Sequence, residues 1–461
     1  MWPDFAPPQV TTGEARAAQK TAIRSADSRT CGRVSRAQTS LAICPECDIM
    51  AGDVGESQRR DGMPDGTEAI ETFLRPWRES LADPGRAQVA TLERLLKRYA
   101  QTEYGAAHGA DGVSSIEEYR RAFPVVTYAD LKPVLERAMR GHWRAFLPEP
   151  PQAWAMTRGS TGQSKFIPMT EADLDERTLC GPRGLLCYVS RMERYDILEG
   201  YDLNLNFPSV IGSMAAEGQE VPYGYSSGIY AKYNAERARL KIVPAQEEID
   251  ALGGGTTEED WERRFELAYE RARDKNVTMV IGVTQVMIRF GQFMKRRYGV
   301  YPRDIWDIGV LLPTSIAGIQ TKYRPALKGL YGDAAIVEMY GATEGLFAQQ
   351  MDEKPFVVPN YDVYFFEVET GRGVTMLHEL RRGEHGSLIV STLTLPRYRI
   401  GDVVMAFGDN YFRCIGRERP FAFLRYLAEG VLNGDWEGIW PGVLRLLRGL
   451  GSSYFIALTM P

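Results

Sequence analysis

Apolar residues first recur at helical spacing between residues 87 and 100, where Val89, Leu92, Leu95, Leu96 and Tyr99 fall on one face. The pattern predicts an amphipathic helix with that stripe inward. A second helix is expected after Ser114 and Ser115, and a third from Thr127, where Asp130 completes a variant of the capping box. Further on, Thr257 with Asp260 caps a predicted helix whose Trp261, Phe265, Ala268 and Ala272 share a face, and Val277 to Val283 follows as a buried strand. The stripe Met287, Phe290 and Met294 precedes the apolar segment Ile305 to Leu312. Ala334 to Met339, Tyr361 to Glu369, Gly386 to Thr392, Val403 to Phe407 and Tyr411 to Ile415 read as strands, with turns at Thr370-Gly371 and Gly408-Asp409-Asn410. Helices alternating with β-branched runs imply an α/β domain with a largely parallel, covered sheet.

From Met1 to about Gly62 no hydrophobic period is sustained, which predicts a disordered tail over residues 1–62, with Met63 an alternative start. Order is expected from near Glu68. The 461 residues, 44% hydrophobic and 25% charged, suffice for two or more domains. A net charge of −5 gives no reason to expect a nucleic-acid surface. Without a membrane-length apolar run or a secretory start, the cytoplasm is the default. The six cysteines are too sparse for a disulfide framework, and Cys44-Pro-Glu-Cys47 is a lone CxxC better read as incidental than as a zinc site.

Three stretches change the picture. Thr157 to Pro168 contains Gly159-Ser160-Thr161-Gly162-Gln163-Ser164-Lys165, whose glycines, hydroxyls and lysine are the material for a polyphosphate loop. The spacing departs from the common phosphate loop, and a surface turn explains it equally well. Tyr340-Gly341-Ala342-Thr343-Glu344-Gly345 is expected as a loop beyond a strand, where a carboxylate can hold a hard cation or simply face solvent. Pro396-Arg397-Tyr398-Arg399-Ile400-Gly401-Asp402 precedes a strand; Asp402 could accept from both ribose hydroxyls and Arg399 could meet phosphate, although a Gly-Asp pair is also an everyday turn.

Taken together in this order, the three stretches resemble the adenylate-forming superfamily of acyl-CoA synthetases, peptide-synthetase adenylation domains and luciferases. Phe123-Pro-Val-Val-Thr-Tyr-Ala-Asp130, Thr321-Lys-Tyr-Arg-Pro325 and Phe412-Arg-Cys-Ile-Gly-Arg417 make the resemblance closer to one branch, the auxin-responsive-promoter family of acyl acid–amido synthetases, over residues 88 to 417. The resemblance implies a large adenylate-forming α/β domain with mixed sheets flanked by helices, over residues 63–415, then a shortened C-terminal helical region, 416–461. It implies ATP and Mg²⁺, with Ser160, Thr161, Gly162 and Lys165 on the β- and γ-phosphates. Tyr340, Gly341 and Thr343 would line the nucleotide site, Glu344 would bind the metal, and Asp402 would hold the ribose. Arg399 and Arg417 would lie near the phosphates. A carboxylic acid would attack the α-phosphorus to give an acyl-adenylate and pyrophosphate, and an amino acid would then take the acyl group. Positioning and charge offset suffice for such chemistry, since a carboxylate is already a nucleophile at neutral pH.

After Arg417 only Glu418 to Pro461 remains, and the last lysine is Lys354. The superfamily's late lysine has no counterpart, which leaves transfer to coenzyme A, or a non-catalytic nucleotide- or acyl-binding relative, as alternatives. Phe421, Leu424, Leu427, Leu444, Leu446, Leu447 and Leu450 suggest helices that need a partner surface. His378 to His385 reads as a solvated loop, not a metal site. Tyr223, Tyr225, Tyr230 and Tyr233, with Phe207 and Trp154, suit either an acyl pocket or plain core packing.

Overall fold

The helix Pro84–Tyr99 begins on Asp83, whose side chain accepts the Arg86 N–H at 3.1 Å, with proline in the first turn. It turns a slightly different face inward from the one the stripe predicts. Leu92, Leu95, Leu96 and Tyr99 are buried, but Val89 is 45% exposed and Gln88 and Thr91 take the inner positions. Their physical task is to satisfy a bend: Gln88 donates to the carbonyls of Tyr361 and Tyr364 and accepts from the Phe366 N–H, and Thr91 donates to Tyr361. That bend is why the strand expected from Tyr361 begins only at Phe365.

The structure, a computed structural model, describes residues 66–157, 164–216 and 219–459; the tail expected over 1–62 lies outside them. Local capping signals place several helices. Thr127 and Asp130 cap Tyr128–Met139, Thr257 and Asp260 cap Glu258–Ala272, and Ser115 caps Ile116–Ala122.

A parallel sheet lies in the middle of the chain, in the order Ile242–Val243, Tyr201–Leu203, Val277–Val283, Val310–Thr314 and Ala335–Ile336. It is one of four sheets among the described residues, so the expected parallel architecture holds for only part of them. A second sheet contains β1 (Pro151–Met156) and β2 (Phe166–Thr170), which are antiparallel neighbours. From β2 the chain passes directly into α1 (Glu171–Cys180), capped by Thr170.

The strand expected over Ala334 to Met339 breaks in two. Ala335–Ile336 ends the parallel sheet, and the chain then enters a second hairpin, β3 (Met339–Ala342) and β4 (Gly345–Gln349). Gln320 and Gln350 make the break possible by satisfying the Ile336 carbonyl and the Glu338 N–H, 3.2 and 3.1 Å away. A five-stranded antiparallel sheet follows, ending in β5 (Tyr398–Gly408) and β6 (Tyr411–Arg417). The expected domain boundary at 415–416 therefore falls inside β6.

Two helices, α2 (Ala422–Asn433) and α3 (Trp436–Thr459), come next. Arg413 of β6 joins them to the sheet by reaching Asp435 and the Tyr426 hydroxyl, and Phe423 stacks on His385 with ring centres 3.9 Å apart. Leu427 is buried, whereas Phe421, Leu424, Leu444, Leu446 and Leu447 remain exposed. No helix among the described residues is long and apolar enough to cross a membrane.

Candidate active site

The glycine-rich segment leaves β1 and returns to β2 through a closed neck. The Thr157 N–H donates to the Lys165 carbonyl at 2.9 Å, and the Lys165 N–H donates to the Thr157 hydroxyl at 3.0 Å. Lys165 is thereby fixed at the exit of the loop, its ammonium 5.7 Å from the ring centre of Tyr128. The Tyr128 hydroxyl in turn accepts the Phe166 N–H at 3.0 Å. Ser160, Thr161 and Gly162 lie outside the described residues.

Tyr340 and Gly341 lie on β3, and Thr343 with Glu344 forms the two-residue turn into β4. The segment expected as a loop is thus mostly hairpin, with the carboxylate at its tip. Glu344 is buried, and burial pushes its carboxyl above the ordinary glutamate value. The charges of Lys165 and Arg417, both distant in sequence, pull it back.

Asp402 and Arg417 face each other across the β5–β6 ladder. Asp402 Oδ1 accepts from Arg417 Nη1, and Oδ2 accepts from the Tyr340 hydroxyl, each at 2.8 Å. A direct hydrogen bond therefore ties the Tyr340 stretch to the Asp402 stretch. Tyr340 is itself held between Phe347 and Phe412. Gly401 has φ 84°, in the left-handed region, and a Cβ there would stand 3.1 Å from Arg417 Nη2. A glycine at this position lets the arginine lie close to the backbone and reach Asp402. Burial raises the Asp402 carboxyl too, against the pull of Arg417 and Tyr340.

Arg399 is not brought to this cluster: its Nε donates to Glu418 at 2.9 Å and its Nη2 to Glu369. Its backbone has a separate task. The Arg399 N–H donates to the Val126 carbonyl at 2.8 Å and the Val126 N–H to the Arg397 carbonyl at 3.0 Å, so the Phe123 to Asp130 stretch lies along the head of β5.

Sequence reasoning assigned no role to Tyr398 or to Arg177. Tyr398 is fully buried, its hydroxyl turned toward Glu344 without a partner of full hydrogen-bond geometry. Arg177, on α1, is also fully buried. Its Nη1 donates to the Thr343 carbonyl at 3.0 Å, its Nη2 to the Glu344 carbonyl at 2.9 Å, and its Nε to Asp173 at 2.6 Å. The spacing of Asp173 and Arg177, one turn apart on a helix that directly follows the glycine-rich stretch, was the signal available.

The aromatic run divides. Phe207 and Tyr225 join Trp261 in the core of the parallel sheet, Trp154 is buried, Tyr223 packs edge-on against Phe166, and Tyr230 lies under Arg177. Most of it is core. Among the described residues no group of three or more histidine, cysteine and carboxylate side chains is placed to hold a metal, the His378 to His385 segment included.

The converged groups are two cations, Lys165 and Arg417, two buried carboxylates, Glu344 and Asp402, and one orphaned phenol. This donor set fits a magnesium–nucleotide complex. A single hard carboxylate oxygen plus phosphate oxygens is how Mg²⁺ is commonly bound, and a buried hydroxyl without a partner is one that a ligand would satisfy.

The fold is that of the adenylate-forming enzymes. It matches a 2-hydroxyisobutyryl-CoA ligase crystallised with 2-HIB-AMP and CoA (TM-score 0.54, 15% identity, 81% of this chain and 82% of that one). It also matches the acyl acid amido synthetase AtGH3.15 in complex with 2,4-DB (TM-score 0.61, 16% identity, 78% of this chain and 72% of that one). Residues 74–246 match the model of the GH3 family N-terminal domain. The chain is 35% identical over 103 residues to indole-3-acetic acid-amido synthetase GH3.2 of Arabidopsis thaliana (22% of this chain, 19% of that protein). It is 28% identical over 111 residues to jasmonoyl-L-amino acid synthetase JAR6 of Nicotiana attenuata (24% and 19%). The aligned stretches span about a fifth of those proteins.

Proposed function

We propose that this protein is an ATP-dependent ligase that adenylates a carboxylic acid and passes the acyl group to an amino acid, forming an amide with release of AMP. The observation that carries this reading is the hydrogen-bonded joining of Tyr340, Asp402 and Arg417, from two separate stretches, next to a hairpin turn whose buried Glu344 feels the charge of Lys165 from a third. The names of the similar proteins, amido synthetases for indole-3-acetic acid and for jasmonoyl–amino acid products, support the substrate class of a small organic acid and an amino acid.

Asp402 still has acceptor lone pairs after binding Tyr340 and Arg417, and holds the ribose hydroxyls with them. Tyr340 keeps that carboxylate from rotating. Lys165 would meet the phosphates at the loop, where Ser160, Thr161 and Gly162 would supply hydroxyl and backbone donors, and Gly341 and Thr343 would line their approach. Glu344 would hold Mg²⁺, which offsets charge on the phosphate oxygens when bound. Arg417 adds positive charge beside the ribose carboxylate, whereas the guanidinium of Arg399, claimed by Glu369 and Glu418, serves the sheet.

The acid's carboxylate oxygen attacks the α-phosphorus, the bond from that phosphorus to the bridging oxygen breaks, and pyrophosphate leaves with the electron pair. No general base is needed for this half-reaction. In the second, the amino group attacks the acyl carbon, AMP leaves, and the amine gives up a proton. The cluster's contribution is positioning and charge offset.

The test is to incubate the protein with ATP, MgCl₂, a panel of aryl, indolic and fatty acids and a panel of amino acids, and to identify products by mass. AMP and an N-acyl amino acid are expected. ADP and phosphate, or no nucleotide product with any acid, would overturn the reading.

A further inference from the structure

The tip of a two-residue hairpin is ordinarily held only by its own ladder. Here the carbonyls of Thr343 and Glu344 are both taken by one guanidinium buried on another element. Burying an arginine is costly even when it is paired, and Arg177 is fully engaged: two donors on the turn, one on Asp173, and its face over the Tyr230 ring at 5.1 Å. Asp173 fixes the fork and is equally buried.

The helix bearing this pair starts where β2 ends, and the residue before β2 is Lys165. At its far end, the Cys180 carbonyl accepts from Gln349 on β4. A single rigid element therefore runs from the exit of the glycine-rich loop to the turn that carries Glu344.

Resting on the nucleotide reading above, we propose that Arg177 is a positioning residue. It sets the Glu344 turn at a fixed distance from Lys165 and so determines how tightly Mg²⁺ couples to nucleotide binding, without touching either ligand. A lysine in its place keeps the charge, but its three N–H donors sit on a single nitrogen, too compact to span two successive carbonyls and Asp173.

The experiment measures ATP affinity by calorimetry, with MgCl₂ titrated and with EDTA, for the wild type, Arg177→Lys, Glu344→Gln and the double variant. The Mg²⁺ concentration giving half of the affinity gain is expected to rise about tenfold in Arg177→Lys, as for other residues that orient a metal ligand. Affinity in EDTA should not change. In the Glu344→Gln background the lysine substitution should add nothing further, because its effect passes through Glu344. Equal losses with and without Mg²⁺, or full additivity in the double variant, would overturn the proposal.

If Arg177→Lys fails to fold by thermal melt, Asp173→Asn replaces it. This variant keeps an acceptor for the guanidinium, and a smaller shift in the same direction is expected; no shift overturns the role. Wild-type protein showing no Mg²⁺-dependent ATP binding would instead refute the nucleotide reading, and Arg177's role with it.

Discussion

At the scale of single residues, the account turns on how two buried carboxylates are held. The Asp402 carboxylate is oriented by a neutral donor, Tyr340, and a charged one, Arg417, at equal distances. Tyr340→Phe keeps the ring between Phe347 and Phe412 and removes only the hydroxyl. A hydrogen bond of this kind contributes about 1 kcal/mol, so ATP affinity should fall roughly five- to tenfold with little change in melting temperature, measured by calorimetry and thermal melt. Glu344 makes a pH prediction. Only its ionised form holds a hard cation, and burial raises its pKa above the ordinary value. As pH falls, Mg²⁺-dependent ATP binding should weaken at a higher pH than an exposed glutamate, with its pKa of about 4.3, would give. A titration in EDTA, where this step is absent, is the control.

At the scale of elements, local signals and tertiary ones separate cleanly. The capped helices starting at Thr127 and Thr257 were legible because a cap is chemistry within four residues. The inner face of Pro84–Tyr99 was misjudged by one position because Gln88 answers carbonyls at Tyr361 and Tyr364 that a helical stripe cannot foresee. The hairpin at Glu344 was hidden for a similar reason: glycines flanking a carboxylate look like loop, and its fixed shape comes from Arg177 on another element. A charged residue on a helix is by default read as solvated, so the one-turn spacing of Asp173 and Arg177, the signal available, does not by itself announce a buried pair.

Two elements give stability predictions. Asp202 spans a register shift between two parallel strands, its Oδ1 accepting the Ile281 N–H at 2.8 Å, and burial raises its pKa to about 7. The unfolded chain releases that proton near pH 3.9. Between about pH 4 and 7 the folded state therefore binds the extra proton, and this contribution to stability is lost as pH rises through that window. Asp202→Asn should flatten the dependence and be more stable than wild type above pH 7, by on the order of 1 kcal/mol or more, in urea unfolding at pH 5 and pH 8. At the α2–α3 contact, a Cβ on Gly430 would lie 2.0 Å from Ile439 Cγ2. Gly430→Ala should lower stability by about 1–3 kcal/mol through forced separation of the helices, read from the same unfolding curves.

At the scale of the whole molecule, the site is assembled from parts that are separate in sequence and in sheet. The strand pair at the glycine-rich loop provides Lys165, the β3–β4 hairpin provides Tyr340 and Glu344, and the last antiparallel sheet provides Asp402 and Arg417. Each stretch was visible in the chain, and each was weak alone because a glycine-rich turn, a loop glutamate and a Gly-Asp pair are common. Their meeting is a property of the fold. It also distinguishes the two arginines that the sequence left equivalent, placing Arg417 on Asp402 and Arg399 between Glu369 and Glu418. The measurement that tests the central claim most directly is acid-dependent exchange of labelled pyrophosphate into ATP, run without amino acid on the wild type, Lys165→Ala and Glu344→Ala. The account predicts exchange by the wild type with one class of carboxylic acid and its loss by at least a hundredfold in both variants, on the scale of removing a charge-stabilising group. Undiminished exchange in the variants, or none in the wild type with any acid although ATP still binds, would contradict it.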